Sequence, residues 1–269
     1  MRYEDFLVMG EHFTPPFTSL DRVRKTLIRL AAARQVCSWR YATTGESGGA
    51  SSLYYKLSLD GYRTLHRDDR AQPPTKRYLH QISPGRHRHQ QKLTQYIVKT
   101  HIAARRSGLQ ITDVFAENTY RIETPYGHLY PDRCHSLVMP SAFQAPQRIE
   151  LDNSTETIWS TKEQDSIEMK MRKYLHDLAA CNYAYRVQFV VTGAKQRLAN
   201  ILAAAKTLQP RVTFCPFYVV HLDEYLAAGS PFLDPIFASA RDDRIALLRS
   251  KAEHFSQRTR PLSSPITVC

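Results

Sequence analysis

The run Tyr130-Pro131-Asp132 is followed eighteen residues later by Glu150-Leu151-Asp152. In a strand, residues two apart share a face, so Glu150 and Asp152 project together. The flanking Gln147-Arg148-Ile149 and Ser136-Leu137-Val138 read as short strands, which lets Asp132 lie beside that pair in a neighbouring strand. Three carboxylates converging in this way could hold a hard divalent cation, Mg²⁺ or Mn²⁺, which favours oxygen ligands. The same spacing also describes three charges at strand ends that simply face water.

The elements that must position these carboxylates follow from periodicity. After a helix running from His87 toward Arg106, the pattern predicts strands at 110–116, 120–123, 132–138 and 148–152, and then a helix over 162–181. A strand at 186–192, a helix at 194–208 and a strand at 217–222 complete the series. A charged helix is predicted over 240–255, and the Pro-containing stretch 257–269 reads as disordered or ordered by a partner.

Charge divides the chain. Residues 1–110 carry 19 Lys and Arg against 8 Asp and Glu, a net of +11, whereas residues 111–269 carry 18 against 17, a net of +1. A basic module joined to a near-neutral one suggests that the first part meets a polyanion, with double-stranded DNA the leading candidate. No long apolar run or amphipathic basic helix with aromatic anchors points to a membrane. Five scattered cysteines, none in a Cys-x-x-Cys pair, and no signal peptide at Met1-Arg2-Tyr3-Glu4-Asp5 lead to an expectation of free thiols in a reducing cytoplasm.

Within the basic part, 18–36 reads as a helix with Thr18 and Asp21 as a capping box and Leu20, Val23, Leu27, Leu30 and Ala31 on its apolar side. Arg22, Lys25 and Arg29 form the opposite side, a stripe suited to phosphates or, equally, a solvated charged face. Trp39 and Tyr41 before a Gly/Ser-rich stretch, with Tyr54 and Tyr55 after it, read as the packed base of a β-hairpin, and Ser58 to Leu65 starts another helix. Lys56 and Arg63 lie near the hairpin as further candidate DNA contacts. Residues 67–86, with Pro73-Pro74 and Ser83-Pro84-Gly85, read as a linker, and His87 and His89 as solvated helix-start residues.

The helix, hairpin and closing helix resemble a winged helix-turn-helix, and the α-β-β-β-α-β order that follows resembles the restriction-endonuclease-like core, PD-(D/E)xK. That resemblance implies that Asp132 and Glu150 hold a metal and that a lysine two residues after Glu150 helps to activate water. Asp152 occupies that position and reverses its charge, so slow or absent cleavage is expected unless Lys170, on the following helix, supplies the cation. Lys170 lies at the edge of the apolar set Ile167, Met171, Tyr174, Leu175 and Leu178, where it could equally snorkel along the surface.

Pro131-Asp132, Glu150-Leu151-Asp152-Asn153-Ser154-Thr155-Glu156, Lys170 with Tyr174, and Phe189-Val190-Val191-Thr192-Gly193-Ala194-Lys195-Gln196-Arg197 together resemble the plasmid replication-relaxation family. The resemblance implies an α/β protein with a winged helix at 1–68, a linker at 69–87, an endonuclease-like domain at 88–240 and a helical and disordered tail at 241–269. It implies a role with plasmid or mobile-element DNA in replication, relaxation or transfer, alongside other proteins of those processes. Two rivals stand beside it: a metal-dependent endonuclease or nickase using Asp132, Glu150, Asp152 and Lys170, and a winged-helix transcriptional or partitioning regulator with an assembly domain.

Overall fold

The computed structural model describes residues 1–10, 15–42, 52–75, 78–160, 166–208, 215–241 and 244–248. The chain is mixed α/β and divides into two compact units. The first comprises Met1–Gln110 with Tyr225–Ala227, and the second Ile111–Glu224 with Ala228–Cys269. The sequence reading opens the second domain at 88; the units instead divide at Gln110, because the helix α4 (His87–Arg106) packs against α1 (Tyr3–Gly10). Among the described residues, no helix is long and apolar enough to cross a membrane.

In the first unit, α1 is followed by α2 (Leu20–Ala32), the antiparallel strands β1 (Val36–Arg40) and β2 (Leu53–Leu57), and α3 (Leu59–His66). Helix α2 is capped by Ser19, whose side chain accepts from the Arg22 N–H at 3.3 Å, one residue later than the predicted Thr18 box. Val23 and Leu27 are buried against Tyr55, Phe6 and Phe17. The predicted apolar side is narrower than its pattern, since Leu20 and Leu30 are exposed. On the hairpin, Trp39 lies opposite Tyr54 and stacks on it at 5.6 Å. The predicted flexible tip lies outside the described residues.

The stretch before α4 is not a free linker. The Ile82 N–H donates to the Tyr54 hydroxyl at 3.0 Å, and Lys56 Nζ donates to the His80 carbonyl at 2.8 Å. His87, read from sequence as solvated, is 1 % exposed: its Nδ1 accepts from the Ala42 N–H at 2.7 Å, and Nε2 bonds the Ile82 carbonyl at 2.9 Å. A histidine that bridges two backbone segments fastens the hairpin base to the start of α4.

Gly61 permits the closest approach in this unit. A Cβ there would lie 1.9 Å from the Gln35 carbonyl oxygen, so α3 can pack on the α2–β1 connection only without one. Gly61→Ala is therefore expected to destabilise the protein by about 1–3 kcal/mol, the usual cost of overpacking against a backbone that cannot yield. A lowered urea midpoint checks it; an unchanged midpoint means that the helix shifts freely.

The second unit is built on a six-stranded sheet in the order β10-β9-β8-β7-β6-β3. Its strands are β3 (Gln110–Phe115), β6 (Arg133–Val138), β7 (Gln144–Asp152), β8 (Arg186–Val191), β9 (Phe217–His221) and β10 (Ala238–Ser239). A separate hairpin, β4 (Ile122–Thr124) with β5 (Gly127–Leu129), precedes β6. Strand β6 runs antiparallel to β7, while β7, β8 and β9 are mutually parallel through α5 (Ile167–Ala180) and α6 (Lys195–Leu208). A short helix α7 (Leu222–Ala227) follows β9.

Both crossover helices cover one face, where Met171, Tyr174, Ile201 and Ala204 pack on Val187, Phe189, Val191, Phe217 and Val219. The near-continuous apolar runs of β8 and β9 are what parallel strands buried on both faces require. The predicted helix over 240–255 is not seen where it is described: Ile245 pairs with Phe237 as an antiparallel bridge, and Leu247 and Leu248 are buried. Apolar residues spaced for a narrow helical edge serve an extended segment instead. Residues 249–269 lie outside the described ones.

Candidate metal centre

Strand β7 carries a charged stripe on its helix-covered face: Arg148, Glu150 and Asp152 register against Val187, Phe189 and Val191 of β8. All three are buried. Burying a charge is costly unless it is paired and hydrogen-bonded, and each has its own solution. The Arg148 guanidinium sits 4.5 Å from the Tyr120 ring centre and 4.8 Å from that of Tyr185, and donates to the Tyr120 and Tyr183 hydroxyls at 3.2 and 3.1 Å.

Asp132 and Glu150 come together as the strand reading expects. Arg133 lies opposite Ile149, so one step further Asp132 lies opposite Glu150. Its backbone N–H donates to the Ile149 carbonyl at 3.0 Å, and its Oδ2 accepts from the Leu151 N–H at 2.7 Å. The Asp132 carboxylate is thus clamped to the backbone beside Glu150. An oxygen of Glu117, in the turn after β3, lies within 4.8 Å of one of Asp132. Sequence reading passes over Glu117 because nothing in its spacing distinguishes it from a turn residue.

Lys170 reaches across from α5. Its Nζ donates to Glu150 Oε2 at 3.0 Å and to Glu156 Oε1 at 2.7 Å, while the Tyr174 hydroxyl donates to Glu150 Oε1 at 2.6 Å. Lys170 and Tyr174, four apart, lie on one side of the helix, which is how a single helix serves both oxygens. Burial pushes the Glu150 carboxyl up to about 7, with Asp132 adding to the rise and Lys170 and Tyr174 opposing it. Burial alone would lower the Lys170 ammonium, but Glu150, Glu156 and Asp132 outweigh it and raise it.

Asp152 shares the face of Glu150 but not its surroundings. Arg197, on α6, takes both of its oxygens, Nε to Oδ2 and a terminal nitrogen to Oδ1, each at 2.8 Å. The same guanidinium donates to the Glu156 carbonyl at 2.6 Å. Asp152 therefore ties the end of β7 to the start of α6, and its charge is answered by arginine. The part of Arg197 is not legible in the sequence. An arginine in the first turn of a helix that has no acid there opposes the helix dipole, but nothing in its spacing names the carboxylate that answers it.

Of the five basic candidates in the first unit, Arg22, Lys25 and Arg29 stand exposed along one side of α2. Lys25 pairs with Asp21 at 2.8 Å, both well exposed, a contact of small energetic weight. Lys56 is tied to the His80 carbonyl and its ammonium is lowered by burial. Arg63 is half-buried, its Nε enclosed without a hydrogen bond.

Asp132 and Glu150 thus present carboxylates from opposed strands, the first clamped by the backbone and the second held by Lys170 and Tyr174. No protein-family model, curated protein or solved structure matches the chain.

Proposed function

We propose that the chain is a DNA-binding protein of a plasmid or mobile element, acting in replication, relaxation or transfer. On this reading the first unit is a winged helix and the second a nuclease-like core that uses Mg²⁺ or Mn²⁺ to hydrolyse phosphodiesters slowly. The observation that carries the reading is Lys170 on Glu150, directly across from Asp132. An acid pair plus a lysine is the set that Asp152 breaks in sequence and that α5 restores in space. The order of β3, β6, β7 and β8 in the sheet, with antiparallel β6–β7 and parallel β7–β8, supports the core assignment.

Asp132 and Glu150 would hold the ion, which when bound supplies Lewis-acid stabilisation of phosphoryl charge and a more acidic water. The chain's own groups do the rest. The Leu151 N–H fixes the Asp132 carboxylate, so no rotamer has to be ordered when the ion arrives. The Lys170 ammonium, 16 % exposed, is a preorganised cation for developing phosphate charge. Tyr174 holds the Glu150 carboxylate from within.

Supercoiled plasmid incubated with the full chain and Mn²⁺ tests the proposal. Slow nicking that is lost in Asp132→Ala, Glu150→Ala and Lys170→Ala supports it. Nicking that persists in all three puts the chemistry away from these residues, and no nicking under any ion leaves a DNA-binding regulator whose second unit serves assembly.

For the first unit, replacing Arg22, Lys25 and Arg29 together with Ala is expected to weaken duplex binding and flatten the dependence of log affinity on log salt by about 2–3, one increment per lost phosphate contact. Fluorescence anisotropy at several salt concentrations measures it. An unchanged slope moves the DNA contact off α2.

A further inference from the structure

Lys170 is shared between a buried and a half-exposed glutamate. Side-chain exposure rises outward from 4 % for Glu150 to 16 % for Lys170 and 36 % for Glu156. The shorter contact is to Glu156, 2.7 Å against 3.0 Å.

Glu156 is delivered there by its own scaffold. The Arg197 bond to its carbonyl is one fixture. The Thr192 N–H donates to the Asp152 carbonyl at 3.0 Å, and the Thr192 hydroxyl to the Asn153 side chain at 2.7 Å. A Cβ on Gly193 would lie 2.1 Å from Ser154 Oγ, so the two turns lie side by side. The loop that carries Glu156 is therefore held by backbone and side-chain contacts independent of Lys170.

We infer that Glu156 is the positioning residue for Lys170: it keeps the ammonium in the site while Glu150 exchanges that ammonium for a divalent cation. The inference rests on the reading of Asp132 and Glu150 as the ion's ligands. An ammonium that loses a buried partner is left at high cost unless a second anion stands ready. Glu156 is that anion. Without it, Lys170 stays locked on Glu150 and competes with the ion.

The test is a double-mutant cycle on the full chain, with Mn²⁺ binding read by titration calorimetry. Glu156→Gln is expected to weaken Mn²⁺ about tenfold, the scale on which outer partners of ligands act, and Glu156→Asp to restore part of the loss. Lys170→Met removes the competitor, so adding Glu156→Gln to it is expected to change nothing further. An unchanged affinity in Glu156→Gln overturns the inference, as does the same loss in the Lys170→Met background, which would make Glu156 a ligand or a distant field charge.

Competitive acetylation of Lys170, mapped by mass spectrometry, separates this inference from the cation reading. In Glu150→Gln, Lys170 is expected to stay protected, and in Glu150→Gln/Glu156→Gln to react at least severalfold faster. Should the wild-type protein bind no Mn²⁺, the cation reading fails, and this labelling pattern still decides who holds the lysine. Rapid labelling in Glu150→Gln alone overturns the positioning role.

Discussion

Arg197→Ala is expected to cost about 3–5 kcal/mol of stability, the usual penalty for stranding one member of a buried ion pair. The Asp152 side chain is only 1 % exposed and that of Arg197 13 %. With the guanidinium gone, Asp152 would retain the 3.3 Å contact from the Ser154 N–H, and the Glu156 carbonyl would lose its donor. Arg197→Lys recovers part of the loss, since an ammonium cannot bind both oxygens as the planar fork does. The double change Asp152→Asn/Arg197→Gln removes both charges and is expected to be milder than Arg197→Ala alone. Urea unfolding measures all three. A loss below about 1 kcal/mol in Arg197→Ala would reduce the pair to a surface-like contact.

The second large effect concerns pH. The Glu150 carboxyl is pushed from 4.5 up to about 7, so between those values the folded chain keeps a proton that the unfolded chain has lost. The stabilisation linked to that proton is fully present below about 4.5 and is lost as pH rises to about 7. Glu150→Gln cannot lose a proton. Its stability relative to the wild-type protein is therefore expected to rise across this window and to level off above it, by up to about 3 kcal/mol in total. The proposed nicking follows the opposite course, since ion binding needs the carboxylate, and its rate is expected to climb through pH 7. A stability difference flat from pH 4.5 to 8 would show that Lys170 and Tyr174 together keep Glu150 ionised throughout.

Much of the second unit is legible from periodicity. Strand β8 is predicted at 186–192 and found at Arg186–Val191, and α6 is predicted at 194–208 and found at Lys195–Leu208, because runs such as Val187-Gln188-Phe189-Val190-Val191 bounded by a Gly turn leave little choice. The meeting of Asp132 with Glu150 is legible because strand alternation and one antiparallel ladder suffice to produce it.

What escapes sequence is set by packing between distant elements. Arg197 meets Asp152 across 45 residues, and no local spacing encodes that contact. Asp152 accordingly reads as a third metal ligand until its arginine is seen. The misplaced features share a cause: Leu20 and Leu30 fit a helical apolar face, yet the residues packed against α2 bury only Val23 and Leu27 of its leucines and valine. Ile245 and Leu248 fit a helix edge but find burial in an extended segment. His87 looks like a helix-start surface residue, and only the hairpin backbone that it bridges explains its burial.

A crystal structure of the full chain soaked in Mn²⁺, with anomalous data, decides whether Asp132 and Glu150 form the proposed divalent-cation site. A peak is expected between the two carboxylates at roughly 2.0–2.4 Å from an oxygen of each, in the range of hard-cation coordination. Lys170 Nζ should then have left Glu150 for Glu156. A crystal with no peak there, or with Mn²⁺ held elsewhere while Lys170 remains on Glu150, would contradict the proposal.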